Sequence, residues 1–153
     1  MPAKDPQTNV ITMSEHLLGI GTLKADEALN DSDKKFTVPT NKVWIPLSIH
    51  VELISTATGG NRQMALEFQD GSDDVIAMVR AGAVQAASLT RNYLFSTTMV
   101  DLVGFRDTDW LSTPMPYLLL PEAFQIRVFD KAAVDAAADD MVVQMMVAEL
   151  DEA

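Results

Sequence analysis

The chain has 153 residues, no cysteine and a formal net charge of −11, from 22 acidic residues against 11 lysines and arginines. Its length predicts one domain with a sizeable core. The absence of thiols excludes disulfides, thiolate metal sites and cysteine nucleophiles, and it favours assembly in a reducing cytoplasm. The acidic balance argues against a nucleic-acid partner, because phosphate binding needs clustered basic residues. We also expect no membrane partner, since no apolar run approaches the roughly 18 residues of a membrane span and residues 1–15 do not resemble a signal peptide.

In chain order, the pattern predicts a polar arm followed by short strands. Residues 1–14 are polar and aperiodic, and they predict an extended arm. Residues 16–23 predict a strand interrupted by glycines, and residues 25–35 predict a charged loop. Further strands are expected over residues 43–54, 63–69, 75–81, 88–96, 100–105, 124–130 and 141–150.

Two of these strands are preceded by the same device, which we call the proline corners. Val38-Pro39 stands before the strand at residues 43–54, and Leu120-Pro121 stands before the strand at residues 124–130. Proline has no N–H to donate to a β-ladder, so it suits the turn before a strand. Two such corners among short strands are typical of an antiparallel β-sandwich.

The strand at residues 43–54 has the clearest alternation. Ile45, Leu47 and every second residue to Leu53 share one face, with Pro46 and His50 on the other. Pro46 predicts an edge position or a β-bulge, because a central strand would miss that hydrogen bond. The apolar run at residues 141–150 predicts a strand buried on both faces.

Eight or nine short strands at regular spacing predict an all-β fold: an antiparallel β-sandwich, jelly-roll-like, with an extended N-terminal arm. We expect residues 1–35 to form the arm and the first strand, and residues 36–153 to form the sandwich domain.

Few residues point to chemistry. His50 and Glu52 lie on the same face of one predicted strand. They could form a metal-binding or acid–base pair, but we favour the interpretation that they belong to a solvent-exposed row of polar residues. Asp130, Asp135, Asp139 and Asp140 are closely spaced, as for a bound cation, although their spacing does not match an EF-hand loop and solvation or capping of the loop is favoured. No nucleophile elbow or dinucleotide fingerprint occurs. We therefore expect no catalytic residue, no cofactor and no metal site.

The two tryptophans are the candidate interaction residues. Trp44 and Trp110 each lie beside a predicted turn, where a large ring can anchor an interface, although packing at a corner or in the core is the simpler interpretation.

Several segments resemble small β-sandwich virion structural proteins of tailed bacteriophages, of the head decoration (cement) type. They are residues 36–44 (FTVPTNKVW), 60–63 (GNRQ), 81–86 (AGAVQA), 120–121 (LP) and 134–141 (VDAAADDM). The resemblance covers about three quarters of the chain, and its motifs are structural.

The resemblance implies a non-enzymatic subunit that assembles in the host cytoplasm and binds the outer surface of the capsid. Its partner would be the major capsid protein, and the jelly roll suggests a homotrimer by analogy. Two alternatives stay open: a neck, tail or fibre-associated subunit, and a carbohydrate-binding or cupin-like sandwich.

Overall fold

A computed structural model of the protein describes residues 20–151, and this part of the chain contains nine β-strands and no helix. It therefore has no helix that could cross a membrane. The strands are β1 (Ile20–Asp26), β2 (Asp33–Thr37), β3 (Lys42–Ile54), β4 (Met64–Gln69), β5 (Val75–Arg80), β6 (Thr90–Ser96), β7 (Trp110–Pro114), β8 (Gln125–Asp130) and β9 (Asp140–Asp151).

The strands form two sheets, with the orders β1-β9-β3-β6-β7 and β2-β8-β4-β5. Every pairing is antiparallel except that of β6 with β7. β1 pairs with β9, β2 with β8, β3 with β6, and β4 with β5, as if one long hairpin had been rolled up. This nesting is the jelly-roll topology, with β7 added at one edge. The expected jelly-roll-like antiparallel sandwich is confirmed.

One apolar core fills the space between the sheets. The five-stranded sheet contributes Ile49, Val51 and Phe95, and the four-stranded sheet contributes Leu66 and Phe68, all fully buried. Burial of each such side chain contributes about 1.5–3 kcal/mol. The core therefore joins the two sheets into a sandwich.

β3 is an inner strand, and Pro46 lies at a β-bulge. The pairing with β9 shifts between Pro46 and Ser48, so Leu47 has no partner there. The expected bulge is confirmed, but the unbroken alternation from residue 45 is wrong. Leu47 is 45% exposed, while Trp44 belongs to the core cluster. The bulge inserts one residue and thereby exchanges the two faces of the strand on either side of it.

Four other strand predictions need correction. β2 lies mostly in a stretch predicted to be a loop, and residues 100–105 are a loop where a strand was expected. β7 lies in a stretch where no strand was expected, and its backbone pairs in parallel with β6. β9 is not buried on both faces, because Gln144 and Met146 are exposed between buried neighbours. Tertiary pairing has outweighed the local residue pattern at β2 and β7.

The two proline corners lie against each other. Val38 N–H donates to Phe124 O at 2.9 Å, and Ala123 N–H donates to Val38 O at 3.0 Å. Trp44 and Leu120 exchange backbone hydrogen bonds, both of 2.9 Å. The turns that introduce β3 and β8 therefore hold each other in place.

Residues 20–35, which we expected to belong to the arm and first strand, lie within the sandwich. β1 pairs with β9, and the first residues of β2 pair with β8. The arm predicted at residues 1–14 lies outside the described residues.

Candidate functional site

The acidic loop between β8 and β9 is built around a buried ion pair. Arg62, from the β3–β4 loop, and Asp139 both have fully buried side chains. Arg62 Nε donates to Asp139 Oδ2 at 2.8 Å, and Nη2 donates to Oδ1 at 3.0 Å. This two-bond geometry fixes both the distance and the relative orientation of the two loops.

The remaining Arg62 donors are also satisfied. Nη1 donates to Thr58 O at 2.8 Å and to Gly60 O at 2.9 Å, and Nη2 donates to Thr56 Oγ1 at 3.2 Å. Five bonds match the five N–H donors of a guanidinium. The Arg62 side chain therefore holds the β3–β4 loop in a closed conformation through hydrogen bonds to three of its residues.

The same contacts set the charge state of Asp139. Burial alone would raise the pKa of its carboxyl group, but hydrogen bonds from the Arg62 guanidinium and from Thr56 lower it below the ordinary value of 3.8. The Asp139 carboxylate is thus held ionised next to a permanently charged arginine.

Two other aspartates of the predicted set bind loop backbone or hydroxyl groups. Asp130 accepts from the N–H groups of Gln63 (2.7 Å), Ala132 (2.9 Å) and Val134 (3.1 Å). Asp135 Oδ2 accepts from two threonine hydroxyls at 2.6 and 2.8 Å. Asp140 begins β9. No group of three or more possible metal ligands occurs within residues 20–151, and the contacts are those of the favoured capping interpretation.

Gln85 extends this network into the β5–β6 loop. Its side chain is fully buried; Nε2 donates to Leu53 O at 2.9 Å and to Leu89 O at 2.8 Å, and Oε1 accepts from Tyr93 at 3.0 Å. Its backbone exchanges two hydrogen bonds with that of Arg62. Burial raises the pKa of the Tyr93 hydroxyl, which therefore stays protonated. Sequence reasoning assigned no role to Arg62 or Gln85, and the one available signal was a lone arginine in a glycine-rich loop.

His50 lies on the outer face of the five-stranded sheet and is part of no acid–base pair with Glu52. Its Nε2 is 2.9 Å from Asn92 Oδ1 on β6. Its ring stacks on Trp110 of β7, with centroids 5.2 Å apart and an interplanar angle of 19°. The imidazole of His50 therefore packs against one face of the Trp110 indole and helps to fix its orientation.

Trp110 borders an apolar cleft of about 230 Å³ on the surface. Its side chain is 45% exposed. The other lining residues come from β6, β7 and the loop between them: Leu94, Met99, Val100, Leu102, Arg106, Leu111 and Ser112. We call this feature the Trp110 cleft.

Trp44, the other candidate interaction residue, is only 3% exposed. Its Nε1 donates to Glu149 at 2.7 Å, and Lys24 lies 5.0 Å above its ring while pairing with the same carboxylate. Hydrogen bonds from Lys24 and then Trp44 lower the pKa of Glu149. Trp44 is thus a corner residue of the sandwich, and the surface indole is that of Trp110.

By its topology, the chain is a jelly-roll β-sandwich. No family model matches it, and no curated protein matches it. Among solved structures, a crystal structure of the infectious bursal disease virus VP2 subviral particle matches with 12% identity and a TM-score of 0.29. The match covers 86% of this chain and 33% of that one, so the chain spans about a third of the length of that structure. A likeness at this level carries no argument about function.

Proposed function

We propose that this chain is a non-enzymatic structural subunit of a tailed-phage virion, most specifically a capsid decoration protein that binds the outer head surface. One observation carries the proposal: the polar clusters are used in holding the fold, while apolar side chains are left at the surface. Arg62, Asp130, Asp135 and Asp139 all bind loops of their own chain. The Trp110 cleft is lined mainly by aliphatic side chains.

An enzyme site needs reactive groups that converge on a cleft. Among the residues lining the Trp110 cleft, Arg106 alone is charged, and Ser112 Oγ donates to Val100 O at 2.7 Å. The cleft is therefore suited to contact another protein rather than to perform a reaction. The jelly roll is an architecture that viral capsid domains use, and the segments described above resemble cement proteins.

The charge distribution supports a protein partner rather than nucleic acid. Most basic residues of the described chain form ion pairs with its own carboxylates: Lys24, Lys34, Lys35, Lys42, Arg62 and Arg127. Few cations remain for binding phosphates. We propose the major capsid protein as partner and a homotrimer as the assembled form, with assembly in the host cytoplasm.

The test is co-sedimentation with purified heads of the encoding phage that lack this protein, with purified tails as the control. We expect saturable binding to heads and increased resistance of the heads to heat. Light scattering of the free protein should report the mass of a trimer. Binding to tails alone would support the neck, tail or fibre alternative, and binding to neither particle would refute a virion role.

Residues 20–151 do not supply the several histidine ligands that the cupin-like alternative requires. His50 is the one histidine there, and it is engaged by Asn92 and Trp110. A cupin site needs several converging ligands for its metal.

A further inference from the structure

The Trp110 cleft and the loop beside it expose apolar side chains. Val100 is 65% exposed and Val103 is 85% exposed, and both lie in the loop that leads from β6 to β7. Contiguous exposed apolar side chains mark interaction sites more often than isolated ones do. The cleft volume of about 230 Å³ lies below the roughly 300–1,000 Å³ of pockets that enclose small-molecule ligands. It is of a size to take one or two side chains.

The surface is formed before any partner arrives. Leu102 N–H donates to Ser112 O at 3.1 Å, which holds the loop against β7. Gly82 lets this loop approach closely, because a Cβ there would lie 2.2 Å from Leu102 O. The Trp110 ring rests on His50. A preformed surface loses less conformational entropy on binding.

The turn before Trp110 is also fixed. Arg106 and Trp110 exchange backbone hydrogen bonds of 2.6 and 3.0 Å. Between them, Asp107 and Thr108 have φ angles of 47° and 70°. Side-chain-bearing residues adopt this left-handed region at a cost of about 1–2 kcal/mol each, which the two backbone hydrogen bonds of the turn help to offset. The turn thus positions the indole at the cleft wall.

The cleft has an acidic rim. Asp101, Asp107 and Asp109 each adjoin a lining residue in the chain, and Arg106 is the one cation among the lining residues. None of these three aspartates forms an ion pair within residues 20–151. A complementary partner would place basic residues beside the apolar group that enters the cleft. A second copy of this chain would instead bring a net charge of −11.

We propose that the Trp110 cleft binds a protein segment that carries an apolar side chain flanked by lysine or arginine. The apolar side chain packs against Trp110, and the flanking cations face the rim aspartates. This inference rests on the proposed function in one respect, namely that the segment belongs to the major capsid protein.

The first test uses phage heads that lack the protein. We expect Trp110→Ala to weaken binding at least about thirtyfold, as for a central aromatic anchor, and Trp110→Phe to weaken it less. Tyr117→Ala is the matched control, because Tyr117 is also exposed, at 61%, and lies outside the cleft. Far-ultraviolet circular dichroism verifies that each variant folds. Equal binding by wild type and the folded Trp110 variants would overturn the inference while leaving the decoration role intact.

The charge of the partner is tested separately. Asp101→Lys should weaken binding severalfold at low salt and reduce its salt dependence, because it reverses one rim charge. Asp74→Lys makes the same charge change in the β4–β5 turn and should have no effect. If the two variants behave alike, the rim does not contact basic residues.

A peptide experiment does not depend on the phage particle. In a Trp44→Phe background, the indole fluorescence reports Trp110 alone. A short synthetic peptide with two leucines between lysines should shift that emission, whereas peptides with glutamate for lysine or serine for leucine should not. If wild type binds no heads but the first peptide selectively shifts the emission, the cleft assignment stands and the decoration role fails. An equal response to all three peptides, or no response to any, would refute the cleft assignment.

Discussion

Removal of the Asp139 carboxylate should destabilise the sandwich by a large amount. Asp139→Ala deletes both acceptors of the Arg62 ion pair and the acceptor of the Thr56 N–H. The guanidinium would stay behind, fully buried, with three of its five bonds. Breaking a buried pair by removing one partner costs about 3–5 kcal/mol, since the other charge is left uncompensated.

That cost is a large part of the free energy of unfolding, because this quantity is about 5–15 kcal/mol for natural domains. At roughly 2–4 °C per kcal/mol for a chain of this size, the midpoint of thermal unfolding should fall by roughly 6–20 °C. Removing both charges, as in Arg62→Met with Asp139→Leu, should cost less than Asp139→Ala alone, although the loop carbonyls would lose their donor.

The assay is urea unfolding followed by tryptophan fluorescence for wild type, Asp139→Ala, the single variants Arg62→Met and Asp139→Leu, and the double variant that combines these last two. Asp140→Ala is the control, since Asp140 is a neighbouring carboxylate with no ion pair among the described residues. We expect the control to lose less than about 1 kcal/mol. If Asp139→Ala lost as little free energy of unfolding as the control, the ion pair would not stabilise the fold. The same conclusion would follow if the losses of Arg62→Met and Asp139→Leu simply added up in the double variant.

Three further outcomes are expected from stability measurements. Ile49→Ala should cost about 2–5 kcal/mol and Leu47→Ala less than about 1 kcal/mol, because the bulge directs Leu47 outward; equal costs in urea unfolding would contradict the bulge. The pKa of Asp139 is lowered in the folded protein, so this group contributes stability above the ordinary value of 3.8 and loses it as the pH falls through the folded value. The loss of stability on acidification below about pH 4 should therefore be smaller in the Arg62→Met/Asp139→Leu variant than in wild type. An identical acid profile for the two proteins would exclude that contribution. Gly60→Ala should cost about 1–3 kcal/mol, because Gly60 has a φ of 131° and its Cβ would lie 2.9 Å from a valine methyl; Gly59→Ala has open space around it and should change the midpoint little, so a similar shift for both would argue against this packing.

The sequence predicted the elements in which the residue pattern and the tertiary pairing agree. The apolar and polar residues of β4, β8 and the part of β3 after its bulge alternate in sequence, and turn residues precede these strands, so their positions were recognisable. β7 was not recognisable, because its strand conformation depends on parallel pairing with β6. β2 was missed for a related reason: its charged residues read as a loop, whereas Lys34 is buried and pairs with Asp26 and Asp31.

The candidate site was predicted only in part. The acidic set and Trp110 were singled out from local spacing and from the nearby turns. Their partners could not be found in that way, because Arg62 meets Asp139, and His50 meets Trp110, only after the sheets have formed. The pairing of the two proline corners has the same cause.

The position of β9 affects how the protein is made. β9 lies between β1 and β3 in the five-stranded sheet, and Ile20 pairs with Glu149. While the ribosome is still adding the last strand, β1 has no neighbour and one edge of β3 is open, and open strand edges invite aggregation. Closing almost the whole chain into one loop also slows folding. The sheet is therefore completed only after synthesis of β9, and a nascent chain stalled before residue 140 would expose the edges that the finished protein protects.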